Sequence, residues 1–149
     1  MKKVKDYLTL VLAEVAFVMM TKTATAQSIQ TLTNETIWQK LGRTQTLETL
    51  NDAYVFSYLD CQYSQLQVRE SIIFLNEEEM NNYFLKMKEI MELPAPKGNN
   101  KLTMEMGDLT IIRPKNMLGI PYVYVFDGNK FHTWGRNENN QVLRKLNLM

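Results

Sequence analysis

The spacing of apolar residues between positions 75 and 94 predicts an α-helix. One helical face collects the large side chains of Met80, Tyr83, Phe84, Met87, Ile90 and Met91. Asn76 is placed to cap the first turn, and Glu79, three residues later, completes a variant of the capping box. Pro94 cannot continue a helix, because proline lacks a backbone N–H. The pattern therefore predicts a helix over residues 77–92.

Two segments before this helix have the composition of β-strands. Residues 53–63 and 66–75 are rich in aromatic and β-branched side chains, which suit a pleated surface. In residues 53–63, apolar side chains fall on both faces, as is typical of an inner strand that is covered on each side. Ser64-Gln65 is suited to the turn between them. The two segments therefore predict two consecutive strands.

Residues 101–113 predict a hairpin after the helix. Gly107-Asp108 suits a type II′ turn, whose first central position requires glycine. A two-residue turn there pairs Met106 with Leu109 and places the apolar side chains of both strands on one face. Turn chemistry and hydrophobic pattern therefore indicate the same register.

The two ends of the domain give weaker patterns. Residues 34–42 have the features both of a short capped helix and of a first strand, and both interpretations stay open. At the other end, Asn137 is suited to cap a helix over residues 138–147, whose apolar stripe contains Val142 and Leu143.

These elements predict an α+β fold. Beyond an undecided segment that ends near residue 52, the order is β-β-α-β-β-β-β-α. Such an order predicts a mostly antiparallel sheet of about six strands with two helices, residues 77–92 and 138–147, packed on one face. The sequences FLNEEEM and WGRNENN, each at the start of a predicted helix, hint at two similar halves, but too few of their residues match to establish a repeat.

The first 26 residues have the three parts of a secretory signal peptide. A lysine-rich start is followed by an apolar run over residues 8–20, and Ala24-Thr25-Ala26 supplies small residues for a signal peptidase. A membrane span needs about 20 apolar residues, and this run is shorter. We therefore expect cleavage after Ala26, export to the periplasm or the extracellular space, and no stable membrane anchor afterwards. Asp6 and Glu14 favour the alternative, an uncleaved amphipathic helix on a cytoplasmic protein.

Residues 27–149 have the length of one domain, and their charges almost cancel. A near-neutral chain lacks the concentrated basic face that nucleic-acid binding requires. Arg113-Pro114-Lys115 is a small basic cluster, which we expect to be a solvated loop. We therefore expect no nucleic-acid partner.

Few residues carry candidate chemistry. Cys61 is the only cysteine and His132 the only histidine, so an internal disulfide and a zinc site of paired Cys and His residues are both excluded. Both residues fall in predicted strands, where a role in core packing is more common. The chain has no glycine-rich phosphate loop. The sequence therefore predicts no catalytic residue, no metal and no cofactor.

The hairpin predicted over residues 121–134 carries five ring-bearing side chains. They are Tyr122, Tyr124, Phe126, His132 and Trp134. A three-residue loop at Asp127-Gly128 would gather all five on one face, as a candidate surface for a protein, peptide or glycan partner. A two-residue loop, which Asp-Gly favours, sends the last two to the opposite face. The alternative to a binding surface is that a helix covers these rings.

The leading functional hypothesis is therefore an exported, non-enzymatic binding or interaction domain. Two alternatives stay open. One is a small enzyme that uses carboxylate or tyrosine groups alone, and the other is a cytoplasmic inhibitor or regulatory protein whose N-terminal helix is retained.

Overall fold

A computed structural model describes residues 34–42 and 44–149 of the chain. The predicted signal peptide, residues 1–26, lies outside the described residues, as do residues 27–33. In the described part of the chain, no helix is both long and apolar enough to cross a membrane.

The structure is α+β, as predicted, with two four-stranded antiparallel sheets and two helices. The first half contains β1 (Asn34–Gln39), β2 (Gln45–Leu50), β3 (Ala53–Leu59), a short 3₁₀ segment (Cys61–Leu66), β4 (Arg69–Phe74) and helix α1 (Glu77–Glu92). The second half contains β5 (Leu102–Met106), β6 (Leu109–Arg113), β7 (Tyr122–Asp127), β8 (Lys130–Gly135) and helix α2 (Arg136–Lys145). In both sheets the strand order follows the chain.

The predicted number of about six strands is too low, because the undecided segment forms the hairpin of β1 and β2. Residues 34–42 therefore begin with a strand and not with a helix. The hydrophobic signal of this strand is weak, since Trp38 is its only buried residue and a register irregularity lies between Thr36 and Trp38. The two halves share one order of elements, four strands followed by a helix, but the asparagines matched between the two sequences are not equivalent, because Asn76 is an N-cap residue and Asn137 is not.

Helix α1 has the predicted bounds and buries all six residues of its predicted apolar face. The Asn76 side chain accepts a hydrogen bond of 2.9 Å from the backbone N–H of Glu79. The Glu79 carboxylate accepts in return from the backbone N–H of Leu75, also at 2.9 Å. The predicted reciprocal cap is therefore present, displaced by one residue on the return bond.

Helix α2 spans Arg136–Lys145, so the prediction of residues 138–147 placed it two residues too late. The predicted cap at Asn137 is wrong, because Gly135 is the N-cap residue and makes no side-chain hydrogen bond. Asn139 is instead fully buried: its side chain accepts from the Trp134 indole at 2.9 Å and donates to the Phe84 carbonyl at 3.0 Å.

One hydrophobic core joins both sheets and both helices, with Trp134 of β8 near its centre. The Trp134 ring contacts Phe56 of β3 at 5.1 Å between ring centroids, Trp38 of β1 at 5.3 Å and Phe84 of α1 at 6.0 Å. These three partners all belong to the first half, so a residue of the second half completes the core of the first.

The free edge of β8 is closed by side chains of the first half. Gln45 Nε2 donates to the Thr133 carbonyl at 3.0 Å, and the backbone N–H of Phe131 donates to Asp60 Oδ1 at 3.2 Å. An exposed strand edge is a template for unwanted pairing, so these contacts protect it while they join the halves.

The register of the β5–β6 hairpin is as predicted, with Met106 opposite Leu109. The β7–β8 hairpin also has a two-residue turn, but the turn is Gly128-Asn129, one residue later than Asp127-Gly128. Asp127 consequently pairs with Lys130.

Candidate functional site

The structure does not bring the five ring-bearing residues of the β7–β8 hairpin to one face. Tyr122, Tyr124 and Phe126 lie half-buried on the outer face of the second sheet. His132 and Trp134 lie on the inner face, and each side chain is only 1% exposed. The two-residue turn has this effect because side chains alternate along a strand, so each register assigns a residue to one face only.

Phe131 completes an aromatic row on the outer face. The row consists of Tyr122, Tyr124, Phe126 and Phe131. Phe126 and Phe131 are directly paired across the hairpin, and their rings stack at 5.2 Å. A hydrogen bond to the Tyr124 side chain is the main reason why the pKa of Tyr122 is raised. The predicted turn at Asp127-Gly128 also places Phe131 on this face, opposite Tyr124, but Phe131 was not among the predicted site residues.

A groove of about 390 Å³ lies beside this row. The sheet contributes Ile112, Tyr124 and Phe126 to its lining, and two loops contribute residues 98–101 and 114–115. Its volume falls in the range of small-molecule sites, which combine apolar walls with a few polar groups. The rings of the sheet and the amide and ammonium groups of the loops provide that combination.

The loops around the groove carry uncompensated positive charge. Residues 93–104 and 109–126 contain no aspartate or glutamate. Lys97, Lys101 and Lys115 are exposed, and none of them forms an ion pair with another residue in the described ranges. We refer to these three lysines as the basic collar. Their charge favours anionic ligands at this end of the second sheet.

The β6–β7 connection, residues 114–121, ends in a tight apolar turn over residues 117–120. Met117 and Ile120 exchange backbone hydrogen bonds of 3.1 and 2.9 Å, as in a two-residue hairpin. The two central residues, Leu118 and Gly119, both have positive φ, of 51° and 78°. A type I′ turn requires this geometry, but its first position is normally occupied by asparagine, aspartate or glycine.

Arg113 holds this connection in place, which corrects the expectation that residues 113–115 form a solvated cluster. The guanidinium is 1% exposed and donates to the carbonyls of Ile90, at 2.7 Å, and of Leu93, at the C-terminal end of α1. It also donates to Asn116 Oδ1 at 3.3 Å. Burial, and then the nearby Arg136, lower the pKa of Arg113. The negative end of the helix dipole stabilises a buried cation at this position. The contact joins residues 20 or more positions apart, so no local sequence pattern indicates it.

The junction between the halves contains a second polar cluster. A cavity of about 230 Å³ is lined in part by Asp60, Cys61 and His132. Asp60 Oδ2, Gln45 Oε1 and both ring nitrogens of His132 are buried without a hydrogen-bond partner in the described part of the chain. The His132 ring lies 4.0 Å from that of Tyr58, and burial lowers the pKa of His132 to about 3. The imidazole is therefore neutral at neutral pH.

A larger groove, of about 620 Å³, lies between β1 and α2. Trp38 is almost fully buried there and donates from its indole to Gln141 at 3.2 Å. Much of the remaining lining consists of long polar side chains, including Arg144 and Lys145. This groove therefore offers no exposed ring on which a ligand could be held.

Among the described residues, no group of three or more His, Cys, Asp or Glu side chains is arranged to hold a metal ion. The comparisons with known proteins found no match: no family model, no curated protein and no solved structure is similar enough to this chain to indicate a relationship.

Proposed function

We propose that this chain is an exported, non-enzymatic binding domain that holds an acidic glycan in the groove beside the aromatic row. The observation that carries the proposal is the combination of half-exposed Tyr124 and Phe126 rings with two lysines of the basic collar, Lys101 and Lys115, in one groove. Aromatic rings pack against the apolar C–H faces of sugars, and ammonium groups attract carboxylate or sulfate substituents.

The polar lining suits sugar hydroxyl groups. Asn99 and Asn100 are exposed and line the same groove. A primary amide offers two N–H donors and a carbonyl acceptor, so it can pair with hydroxyl groups that both donate and accept. Gly98, with a φ of 64°, turns the loop without adding a side chain to this wall.

The test uses two ligands of the same linkage that differ only at C6, where one has a carboxylate and the other a hydroxymethyl group. Oligomers of galacturonic acid and of galactose are titrated into the protein, and binding is measured by isothermal calorimetry. We expect saturable binding of the acidic oligomer and much weaker binding of the neutral one. Phe126→Ala should lower the affinity for the acidic oligomer about tenfold, because truncation of an anchoring ring typically costs more than 1 kcal/mol of binding free energy.

Two controls separate the groove from general effects. Tyr63→Ala removes an exposed ring from the first half, and Lys86→Gln removes an exposed lysine from α1. Both variants should bind as the parent does, whereas Lys115→Gln should bind more weakly. Equal binding of both oligomers, or equal effects of groove and control variants, would contradict the proposal.

Export is part of the same proposal and rests on the apolar run and on Ala24-Thr25-Ala26. The mass of the protein purified from its native host is the direct test. A chain that begins at Gln27 supports export, and a chain that retains residues 1–26 supports the cytoplasmic alternative.

One observation favours a second candidate function, an enzyme that uses the Asp60 carboxylate. Asp60, Cys61 and His132 line one cavity, and buried polar atoms without partners are common at catalytic sites. Against this candidate, the nitrogens of His132 are sealed from solvent and its pKa is about 3, so the ring is a poor proton acceptor. Hydrolysis of chromogenic glycosides by the parent protein and by Asp60→Asn discriminates: an activity that the substitution abolishes supports the enzyme, and no difference between the two proteins contradicts it.

A further inference from the structure

The connection between the second and third strands differs sharply between the two halves. In the first half it is a two-residue turn, Asn51-Asp52, and Asn51 has a φ of 54°. In the second half it spans residues 114–121, and Leu118 has a similar φ of 51°. Asparagine adopts this left-handed conformation readily, whereas leucine adopts it at a cost. The geometry of the turn therefore does not account for leucine at position 118.

The apolar turn places its large side chains in solvent. Leu118 is 96% exposed, Met117 61% and Ile120 45%. Single exposed apolar residues are normal on a protein surface, but three at one tight turn form a patch of the kind found at interaction sites. A strained backbone at such a turn is also more common at functional sites than elsewhere.

Hydrogen bonds and two prolines restrict the turn. Asn116, which accepts from the buried Arg113, donates from its side-chain amide to the Gly119 carbonyl at 3.5 Å. Pro114 and Pro121 restrict the backbone at both ends of the connection. A preformed turn loses little conformational entropy when it docks, so even a small apolar contact can be effective.

We infer that the apolar turn inserts into the interface of an anionic lipid layer, with the basic collar at the headgroups. The side chains of Met117, Leu118 and Ile120 enter the acyl boundary, and Lys115, two residues before the turn, lies beside the charged headgroups. Tyr122 and Tyr124, which follow the turn on β7, are amphipathic rings of the kind enriched at membrane interfaces. This inference does not depend on the glycan proposal.

The size and shape of the patch favour lipid over a protein pocket. A stable protein interface buries about 800 Å² on each partner, with an apolar core inside a polar rim. Here three side chains form the whole apolar patch, and the surrounding loops carry lysines alone. Apolar side chains that enter the interface, together with lysines near anionic headgroups, give weak and reversible attachment to a membrane surface.

The test reads the environment of position 118 in the full chain. Cys61→Ser and Leu118→Cys provide a single thiol, which is labelled with the environment-sensitive fluorophore NBD. Parent protein labelled at Cys61, in the first half, is the matched control, because any attachment through residues 8–20 affects both proteins alike. Each is mixed with vesicles of phosphatidylglycerol or of phosphatidylcholine.

We expect a several-fold rise and a blue shift of NBD emission at position 118 with phosphatidylglycerol, little change with phosphatidylcholine, and no change at Cys61. About 1 M salt should reverse the effect, since it shortens the screening length to about 3 Å. Replacement of all three collar lysines by glutamine should lower the affinity for phosphatidylglycerol vesicles about tenfold or more.

Three results would overturn the inference. The first is a label at position 118 that stays in water with both kinds of vesicle. The second is an equal change at Cys61, which would indicate general adsorption. The third is NBD emission at position 118 that changes only when a protein extract is added, which would mean that the apolar turn binds a protein and not a lipid layer.

Discussion

The two halves of the molecule have the same order of elements but different outer surfaces. The outer face of the first sheet is mostly polar and includes Ser57 and Ser71, whose hydroxyl groups lie 2.9 Å apart. The outer face of the second sheet carries the aromatic row, and its β6–β7 connection carries the apolar turn. Shared topology therefore fixes where side chains point, while the identity of those side chains makes the two outer surfaces chemically different.

The largest expected effect separates the two faces of the second sheet. Trp134→Ala should lower the free energy of unfolding by about 3–5 kcal/mol, because it removes a large buried ring that contacts Trp38, Phe56 and Phe84. Tyr124→Ala, on the outer face, should cost about 1 kcal/mol or less. Urea titrations measure both values. Similar losses for the two variants would mean that the outer row also belongs to the core.

The next effect concerns His132, a residue of the second half that is buried against the Tyr58 ring of the first half. Its folded pKa of about 3 lies below the unfolded value of 6.5, so only the unfolded state gains a proton as the pH falls between these values. Stability should therefore decrease on acidification, by about 2 kcal/mol between pH 7 and pH 5. His132→Phe should remove this pH dependence. Titration of the carboxylates also changes the stability between pH 7 and pH 5, but by the same amount in both proteins.

The measurement is a pair of urea titrations at pH 7 and pH 5 for each protein. The loss on acidification should be about 2 kcal/mol larger in the parent than in His132→Phe. Identical losses would mean that His132 can be protonated in the folded state.

The helix caps of the two halves predict a smaller difference. Asn76→Ala should cost about 1 kcal/mol, because the side chain caps α1. Asn137→Ala should change stability by less than about 0.5 kcal/mol, because α2 begins at Arg136 without a side-chain cap. Thermal unfolding of the two variants side by side gives the comparison. A larger loss for Asn137→Ala would reverse the assignment of the caps.

The smallest expected effect is a gain. Leu118→Asn should stabilise the protein by about 0.5 kcal/mol, because asparagine tolerates a positive φ better than leucine does. The matched change in the first half, Asn51→Leu, should destabilise by a similar amount. If Leu118→Asn instead lowers the denaturant midpoint, the leucine has a structural role, and its exposure would need another explanation than docking.

The sequence predicted the elements whose signals are local. The bounds of α1, its cap at Asn76 and the register of Met106 with Leu109 were all correct, because a periodic apolar face, a capping residue and a glycine turn act within a few residues. The hairpin of β1 and β2 was left undecided, since most of its side chains are exposed and its apolar alternation is weak.

The candidate site was only half predictable. Tyr124 and Phe126 line the groove on the face that the sequence assigned to them, but the groove also needs residues 98–101, which approach from the far side of another hairpin. The turn at Gly128-Asn129 shifted the pairing by one residue within each strand, so that Phe131 lies opposite Phe126 and not opposite Tyr124, although both turns keep it on the outer face. Asp127, Gly128 and Asn129 are all turn-forming residues, so the local sequence does not specify which two of them form the turn.

What the sequence alone determined is the α+β class, the helix α1, the hairpin of β5 and β6 and the presence of a single cysteine and a single histidine, because each follows from composition or from short-range periodicity. Only the tertiary structure decided that Trp134 and His132 are core residues, that Arg113 is buried at the end of α1, and that Leu118 is exposed. Those outcomes depend on contacts between residues far apart in the chain, such as Arg113 with Ile90 and Trp134 with Trp38. Burial depends on which surfaces pack together in the folded protein, so a leucine can be exposed and an arginine buried.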